Sequence, residues 1–435
     1  MKTPSVLAGY LARWAEPVGA IAAQVPGRYA HVLVVPALCE SAALLDGYRA
    51  AGGGVLCIVV VNAAEDADPS AFEQNQRLLD ELRDRLERPR VIHEAPAAWL
   101  GSHGAFDVLV LDRNSPGFRL PARQGVGLAR RLGCDLAAHL KARGVFSGRL
   151  IGCSDGDATL PADYFARIEA ASAEELSALV FPFRHEPTGV ETVDLATARY
   201  DLSLRYYVLG LASAGSPYAF QTLGSTIAVD VDAYAKVRGF PRLRAGEDFY
   251  LLCKLAKVAP ILRARGEPIR IAARRSARVP FGTGAAVAKL ETRPLTVYAP
   301  RSFALLGAWL RGLEVFSRVR DLGQARSALS DLSADERAAL EAALADLGAD
   351  QALLEASRNT PGSGLLRRLH TWFDGFRTLK LIHALRDRAL PDVTWFEALH
   401  SAPFLAPAVP RANLSTALAE LEQAASPRIG PTLLD

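Results

Sequence analysis

Ser154-Asp155-Gly156-Asp157 sets two carboxylates two residues apart, directly after the apolar run Leu150-Ile151-Gly152-Cys153. Alternate side chains of a strand share a face. If strand geometry persists past Cys153, Asp155 and Asp157 project together from its carboxyl end, the edge where open α/β sheets usually bind ligands. Two hard oxygen donors in that place suit Mg²⁺ or Mn²⁺ carrying a diphosphate. Further along, Gly246-Glu247-Asp248 opens a helical stretch and offers a second acidic pair. Read alone, each pair has a plainer meaning: a solvated turn for the first, favourable charge in a first helical turn for the second.

The elements that must hold these acids can be read from the apolar runs. His31–Pro36, Val55–Val61, Asp107–Leu111, Arg149–Cys153, Leu179–Phe183, Ser225–Val231 and Ile269–Arg274 read as strands. Helices are expected over Leu7–Val25, Ser41–Ala51, Ser70–Arg88, Leu120–Ala142, Asp232–Val237 and Glu247–Val258. Strands alternating with helices predict an α/β fold with a mostly parallel sheet flanked by helices. From about Pro300 the strand runs stop, and Ala, Leu and charged residues take over. Ser333, three residues before Glu336, marks a helix start of the capping-box type. The expected domains are 1–30, a helical segment; 31–290, the sheet domain; and 291–435, a helical region. His370-Thr371-Trp372-Phe373 and Trp395-Phe396 are expected in the core of that region.

Composition excludes more than it selects. The 435 residues carry 50 Lys and Arg against 47 Asp and Glu, a formal net charge of +3. That balance gives no nucleic-acid footprint, which needs clustered basic residues. Five cysteines without C-x-x-C spacing read as reduced thiols of a cytoplasmic protein, not as a zinc site. Neither a secretory leader nor an apolar run of about eighteen residues is visible. Contact with a membrane surface and self-association both stay open. Gly125-Val126-Gly127 lacks the third glycine of a dinucleotide fingerprint and no strand directly precedes it.

Four blocks, in order, carry a family likeness. They are Val34-Val35-Pro36-Ala37-Leu38-Cys39-Glu40; Arg123-Gln124-Gly125-Val126-Gly127-Leu128-Ala129-Arg130-Arg131-Leu132-Gly133; Ser154-Asp155-Gly156-Asp157-Ala158-Thr159-Leu160-Pro161; and Gly224-Ser225-Thr226-Ile227-Ala228-Val229 followed by Gly239-Phe240 and Gly246-Glu247-Asp248. Over roughly residues 30 to 285 the chain resembles a family 2 glycosyltransferase of the GT-A fold. The resemblance implies a metal-dependent, inverting transfer of a sugar from a UDP- or GDP-linked donor to a hydroxyl acceptor. Asp155 and Asp157 would hold the Mn²⁺ or Mg²⁺ and its diphosphate. Asp248 would be the general base, with Glu247 sharing or replacing it. Pro36, Glu40, Asn62 and Asp112 fall at strand ends where the family cradles the nucleoside. Arg123, Arg130 and Arg278 are candidate phosphate contacts, and His185 is a candidate third metal ligand. Two rival readings are a sugar nucleotidyltransferase and a nucleotide-sugar-binding scaffold without turnover. The first would show a basic, glycine-rich loop after the first strand, where this chain has Ala37-Leu38-Cys39-Glu40-Ser41.

Overall fold

A computed structural model describes residues 5–48, 52–274, 283–360, 364–405, 414, 416–419 and 421–422. They fall into two compact units, one within Met1–Asp194 and Thr222–Ala288, the other within Leu195–Gln221 and Lys289–Gly430.

In the first unit Pro17 splits the expected opening helix into α1 (Val6–Arg13) and α2 (Gly19–Gln24), since its ring and missing N–H end a helix. Strands β1 (His31–Ala37) and β2 (Val55–Asn62) are buried almost throughout, as continuous β-branched runs require. A 3₁₀ turn, Ala42–Tyr48, stands where a helix was expected. Helix α3 (Pro69–Arg85) starts on the Asp68 carboxylate, which accepts the Ser70 N–H, with Pro69 at the first position. Strands β3 (Glu87–Glu94) and β4 (Ala97–His103) form an antiparallel pair that the sequence reading missed. Then come β5 (Phe106–Arg113), α4 (Val126–Ala142), β6 (Leu150–Cys153), β7 (Ala158–Thr159) and α5 (Tyr164–Ala171). The expected strand over Leu179–Phe183 breaks at Phe181 and Pro182 into β8 (Ala178–Val180) and β9 (Phe183–Glu186), which join different sheets. Helix α6 (Glu191–Ser213) leads into the second unit's span. The first unit resumes with β10 (Ile227–Asp230), α7 (Val231–Lys236), α8 (Glu247–Leu255), β11 (Ile261–Arg263) and β12 (Ile269–Ala272).

Nine of these strands form one sheet in the order β11-β8-β10-β6-β1-β2-β5-β4-β3. The expected parallel character holds only in part. Strand β1 is parallel to β2 and β6, β2 to β5, and β11 to β8, whereas β10 runs antiparallel to both neighbours and β4 to both of its own. The molecule is thus α/β with a mixed sheet flanked by helices. A second small sheet, β7-β12-β9, brings the end of β12 beside the segment that follows β6.

A polar hub fastens α1 to α4. The Asp135 carboxylate on α4 is fully buried and accepts Tyr10 Oη–H (2.6 Å), Tyr234 Oη–H (2.8 Å) and the Glu16 N–H (2.8 Å). Arg131, one residue-turn away, pairs with Glu16 at 2.9 Å.

Helix α9 (Thr283–Leu290) precedes the second unit's own series: β13 (Thr296–Val297), α10 (Pro300–Val319), α11 (Leu322–Ser327), α12 (Ala334–Asp346), α13 (Ala349–Asn359), α14 (Leu365–Trp372), α15 (Gly375–Arg388), β14 (Val393–Thr394) and α16 (Trp395–Ser401). Helical character dominates here, and Ser333 and Glu336 form the expected reciprocal capping box. Phe303, Phe316, Leu340, Leu353, Phe373 and Leu381 are core residues of this unit. Phe373 therefore sits as expected, but Phe396 does not: it is 51% exposed and lies against His400. The five cysteines are free. Among the described residues, no helix is long and apolar enough to cross a membrane.

Candidate active site

Strand β1 opens the site. The Val34 carbonyl accepts the Ser154 N–H at 3.0 Å, and the β1–β6 register ends there, at Val34 opposite Cys153. Pro36 lies two residues on, along the same edge, and has no N–H to extend the ladder. On the other side β1 stays paired with β2 as far as Ala37. The strands β1 and β6 therefore part at their carboxyl ends. This is also where the sheet order turns, with β2 and β5 on one side of β1 and β6, β10, β8 and β11 on the other. Open α/β sheets bind ligands at such a switch point.

The strand conformation does not persist past Cys153. The Asp155 carbonyl accepts the Ala158 N–H (3.0 Å) and the Tyr48 hydroxyl proton (2.7 Å), so Asp155–Ala158 is a pinned turn. The two aspartates consequently meet different cations. Asp155 Oδ1 accepts Arg130 Nη2 at 2.8 Å. Asp157 Oδ2 pairs with Arg274 Nη2 at 2.6 Å. Arg274 also grips Glu40 through both carboxylate oxygens, at 2.6 and 2.9 Å.

Arg130 links the two acidic motifs. It is 1% exposed on α4 and spends its donors on four groups: Asp155, Glu247 Oε1 (3.2 Å) and the carbonyls of Ser154 and Gly224 (3.1 Å each). Burial works against its charge, but Asp155 and Glu247 more than offset that, and its pKa is held upward. A Cβ on Gly224 would lie 2.5 Å from Arg130 Nη2, so only glycine leaves room for this guanidinium. The expected phosphate contact through Arg130 does not match this arrangement, because the side chain is buried and committed to protein acceptors.

Helix α8 presents the second acidic pair from Gly246, whose left-handed backbone (φ 74) turns the chain into the first turn. Glu247 is buried; burial raises its pKa against the pull of Arg130. Asp248 is half-buried and accepts the Phe249 N–H at 2.7 Å. Burial first, then the adjoining Glu247, lifts its pKa to about 7. The two acids titrate as a pair. Around this cleft the carboxylates of Glu40, Asp155, Asp157, Glu247 and Asp248 gather about the guanidinium groups of Arg130 and Arg274.

The remaining expected residues are dispersed or structural. Asn62 is buried and donates to the Ala37 and Val60 carbonyls, tying β2 to β1. Asp112 caps a turn by accepting the Asn114 and Ser115 N–H groups. Arg123 has φ 65 and gives its N–H to Asp66, which also pairs with Arg244. His185 lies buried on β9, edge-on to Phe183. Arg278 lies outside the described residues. Two residues escaped the sequence reading. Asn75 on α3, fully buried, accepts the Cys39 N–H and donates to the Asn62 carbonyl and Asn114, joining the ends of three strands. Arg274 was read only as the end of a strand. Its signal was indirect: acids gathered in one crevice call for a base.

Among the described residues, no three His, Cys, Asp or Glu side chains converge to hold a metal ion by themselves. Mg²⁺ makes a smaller demand, one or two carboxylates with the rest supplied by phosphates and water. Asp155 and Asp157 are carboxylates of the kind such an ion takes, the first paired here with Arg130 and the second with Arg274, whose guanidinium lies between Asp157 and Glu40. No protein-family model matches the chain, and no curated protein matches its sequence.

Proposed function

We propose that this chain is a metal-dependent, inverting glycosyltransferase acting on a nucleotide-linked sugar and a hydroxyl acceptor. One observation carries the reading. The acids of both motifs, with Glu40, gather around Arg130 and Arg274 where β1 and β6 part. Carboxylates gathered at the carboxyl edge of the sheet favour a divalent ion that brings a diphosphate with it. Asp157 and Asp155 would hold that ion. Bound Mg²⁺ or Mn²⁺ would neutralise charge gathering on the departing diphosphate.

Asp248 takes the proton of the acceptor hydroxyl. The new bond forms between that oxygen and the anomeric carbon as the bond to the diphosphate oxygen breaks on the opposite face. A pKa of about 7 suits a base at neutral pH. Glu247 serves differently: locked to Arg130, it fixes the start of α8 and with it Asp248. The loop after β1 disfavours a nucleotidyltransferase, because it presents Glu40 and no basic residue from Ala37 to Ser41.

Titration calorimetry with UDP and GDP, each with and without Mn²⁺, tests the proposal. One nucleotide should bind more tightly with the metal, and a panel of sugar donors carrying that nucleotide should then reveal turnover. Binding indifferent to metal, with no donor consumed, would overturn it.

A further inference from the structure

A cation at Asp157 belongs to the chain itself. We propose that Arg274 is the resident counter-ion of the cleft, occupying Asp157 until a divalent ion takes that carboxylate from it. This inference rests on the reading of Asp157 as a metal ligand.

Backbone geometry puts the guanidinium in place. The Ala272 N–H, at the end of β12, donates to the Asp157 carbonyl at 2.9 Å. Arg274 follows two residues later and reaches the Asp157 side chain at 2.6 Å. Its hold is unequal on the two acids. Glu40 receives a two-pronged pair, at 2.6 and 2.9 Å, the stronger arrangement for arginine and carboxylate. Asp157 shares the Nη2 that also serves Glu40. Arg274 can therefore stay anchored on Glu40 while Asp157 is released. The Arg274 side chain is 31% exposed, against 9% for Glu40 and 17% for Asp157, so the cation stands on the open side of the cluster. A divalent ion approaching Asp157 meets a like charge already seated, and like charges a few ångströms apart repel strongly in a half-buried site.

The prediction is a metal affinity restrained by the protein's own arginine. Mn²⁺ binding to the full chain is followed by loss of the free-ion electron paramagnetic resonance signal, with no nucleotide present. Arg274→Met should bind Mn²⁺ at least about tenfold more tightly than the natural chain. Arg274→Gln, which also drops the charge, should move in the same direction and serves if the Met variant folds poorly. Adding Asp157→Asn to either should abolish the gain. An affinity unchanged or weakened by losing Arg274, or a gain that survives Asp157→Asn, would overturn the proposal. Repeating the titration with UDP or GDP separates the two readings. If nucleotide tightens Mn²⁺ binding in the natural chain while Arg274→Met changes nothing, only the counter-ion role fails. If Arg274→Met gains Mn²⁺ affinity but nucleotide has no effect on either protein, the glycosyltransferase reading fails instead.

Discussion

At the Asp248 carboxyl, burial and the neighbouring Glu247 act in one direction, and together they outweigh the Phe249 N–H and Arg130 that favour the anion. The resulting pKa of about 7 fixes the sign of a pH dependence. A general base works only when deprotonated, so the rate should climb as pH rises through about 7 and then level off. Asp248→Asn removes the base while keeping the shape. It should lower turnover roughly 10²–10⁴-fold, leave metal-linked nucleotide binding close to that of the natural chain, and erase the rising limb. Initial rates across the neutral range, paired with calorimetry, check this. Equal losses of binding and rate would assign Asp248 to the frame of the site instead. The acids were legible in the sequence through the order and spacing of the four blocks that contain them, since either pair alone reads as a turn or a helix start. Their partners were not. Arg130 and Arg123 looked alike on paper, both within the expected helix Leu120–Ala142, yet one is buried on α4 and the other lies before it, giving its backbone N–H to Asp66. Which charge is buried depends on the packing of α4 against β1 and on Gly224 across the site, contacts that no local spacing encodes.

Elements, in turn, decide whether those side chains meet. The Gly224–Thr226 turn that feeds β10 gives its first carbonyl to Arg130 and has no room for a methyl group beside Nη2. An arginine tip usually yields to such an intruder, but this one is held by four acceptors. Gly224→Ala should cost about 1–3 kcal/mol, as overpacking does. Because the displaced guanidinium loses Asp155, metal-linked nucleotide binding should weaken as well. Denaturant unfolding and calorimetry measure the two effects, and a variant as stable and as tight as the natural chain would contradict the crowding argument. The sheet itself was partly legible for similar reasons. Strands β1, β2, β5 and β6 announce themselves as apolar, β-branched runs because nearly every residue is buried. Strand β3 gives no such signal: it is an edge strand, largely exposed, with Arg88, Pro89, Arg90 and His93 in it. Direction was hidden too. Four buried residues in β10 carry no mark of whether their neighbours run with them or against them, and β10 turned out antiparallel to both. The helical unit was legible only as helical, since Ala- and Leu-rich stretches fix the type of element but not its partners.

For the whole molecule, each compact unit carries a carboxyl whose pKa is strongly moved, and the two move in opposite directions. In the first unit burial raises Asp135 from 3.8 to about 6, although Tyr10, the Glu16 N–H and Arg131 pull it down. The folded form thus holds that proton more tightly than the unfolded chain. Its contribution is complete below about pH 4 and is lost as pH rises toward 6, a change of order 3 kcal/mol. Asp248 extends the loss toward pH 7 in the same unit. In the second unit the Arg301 guanidinium and the capping box hold Glu336 down at about 2, so its contribution is present above about 4.5 and fades only as pH falls below that. A chain with two compact units need not unfold in a single step. Burial also lowers His31 and His139 in the first unit and His370 and His383 in the second, so each unit gains from these as pH rises toward about 6.5. Scanning calorimetry should therefore resolve two transitions with different pH responses, the first drawn down by Asp135 against its histidines between about pH 4 and 7, the second rising toward about pH 6.5 and dropping further in stronger acid as Glu336 takes up its proton. Asp135→Asn assigns the first. The amide can keep the Glu16 N–H on its oxygen and turn its NH₂ to the Tyr10 and Tyr234 hydroxyls, and with no carboxyl left to titrate the slope between about pH 4 and 6 should change by the Asp135 share. Two transitions that keep step with each other across this range, or a slope unmoved by losing Asp135, would show that the buried carboxyl of α4 is not what couples folding to protons here.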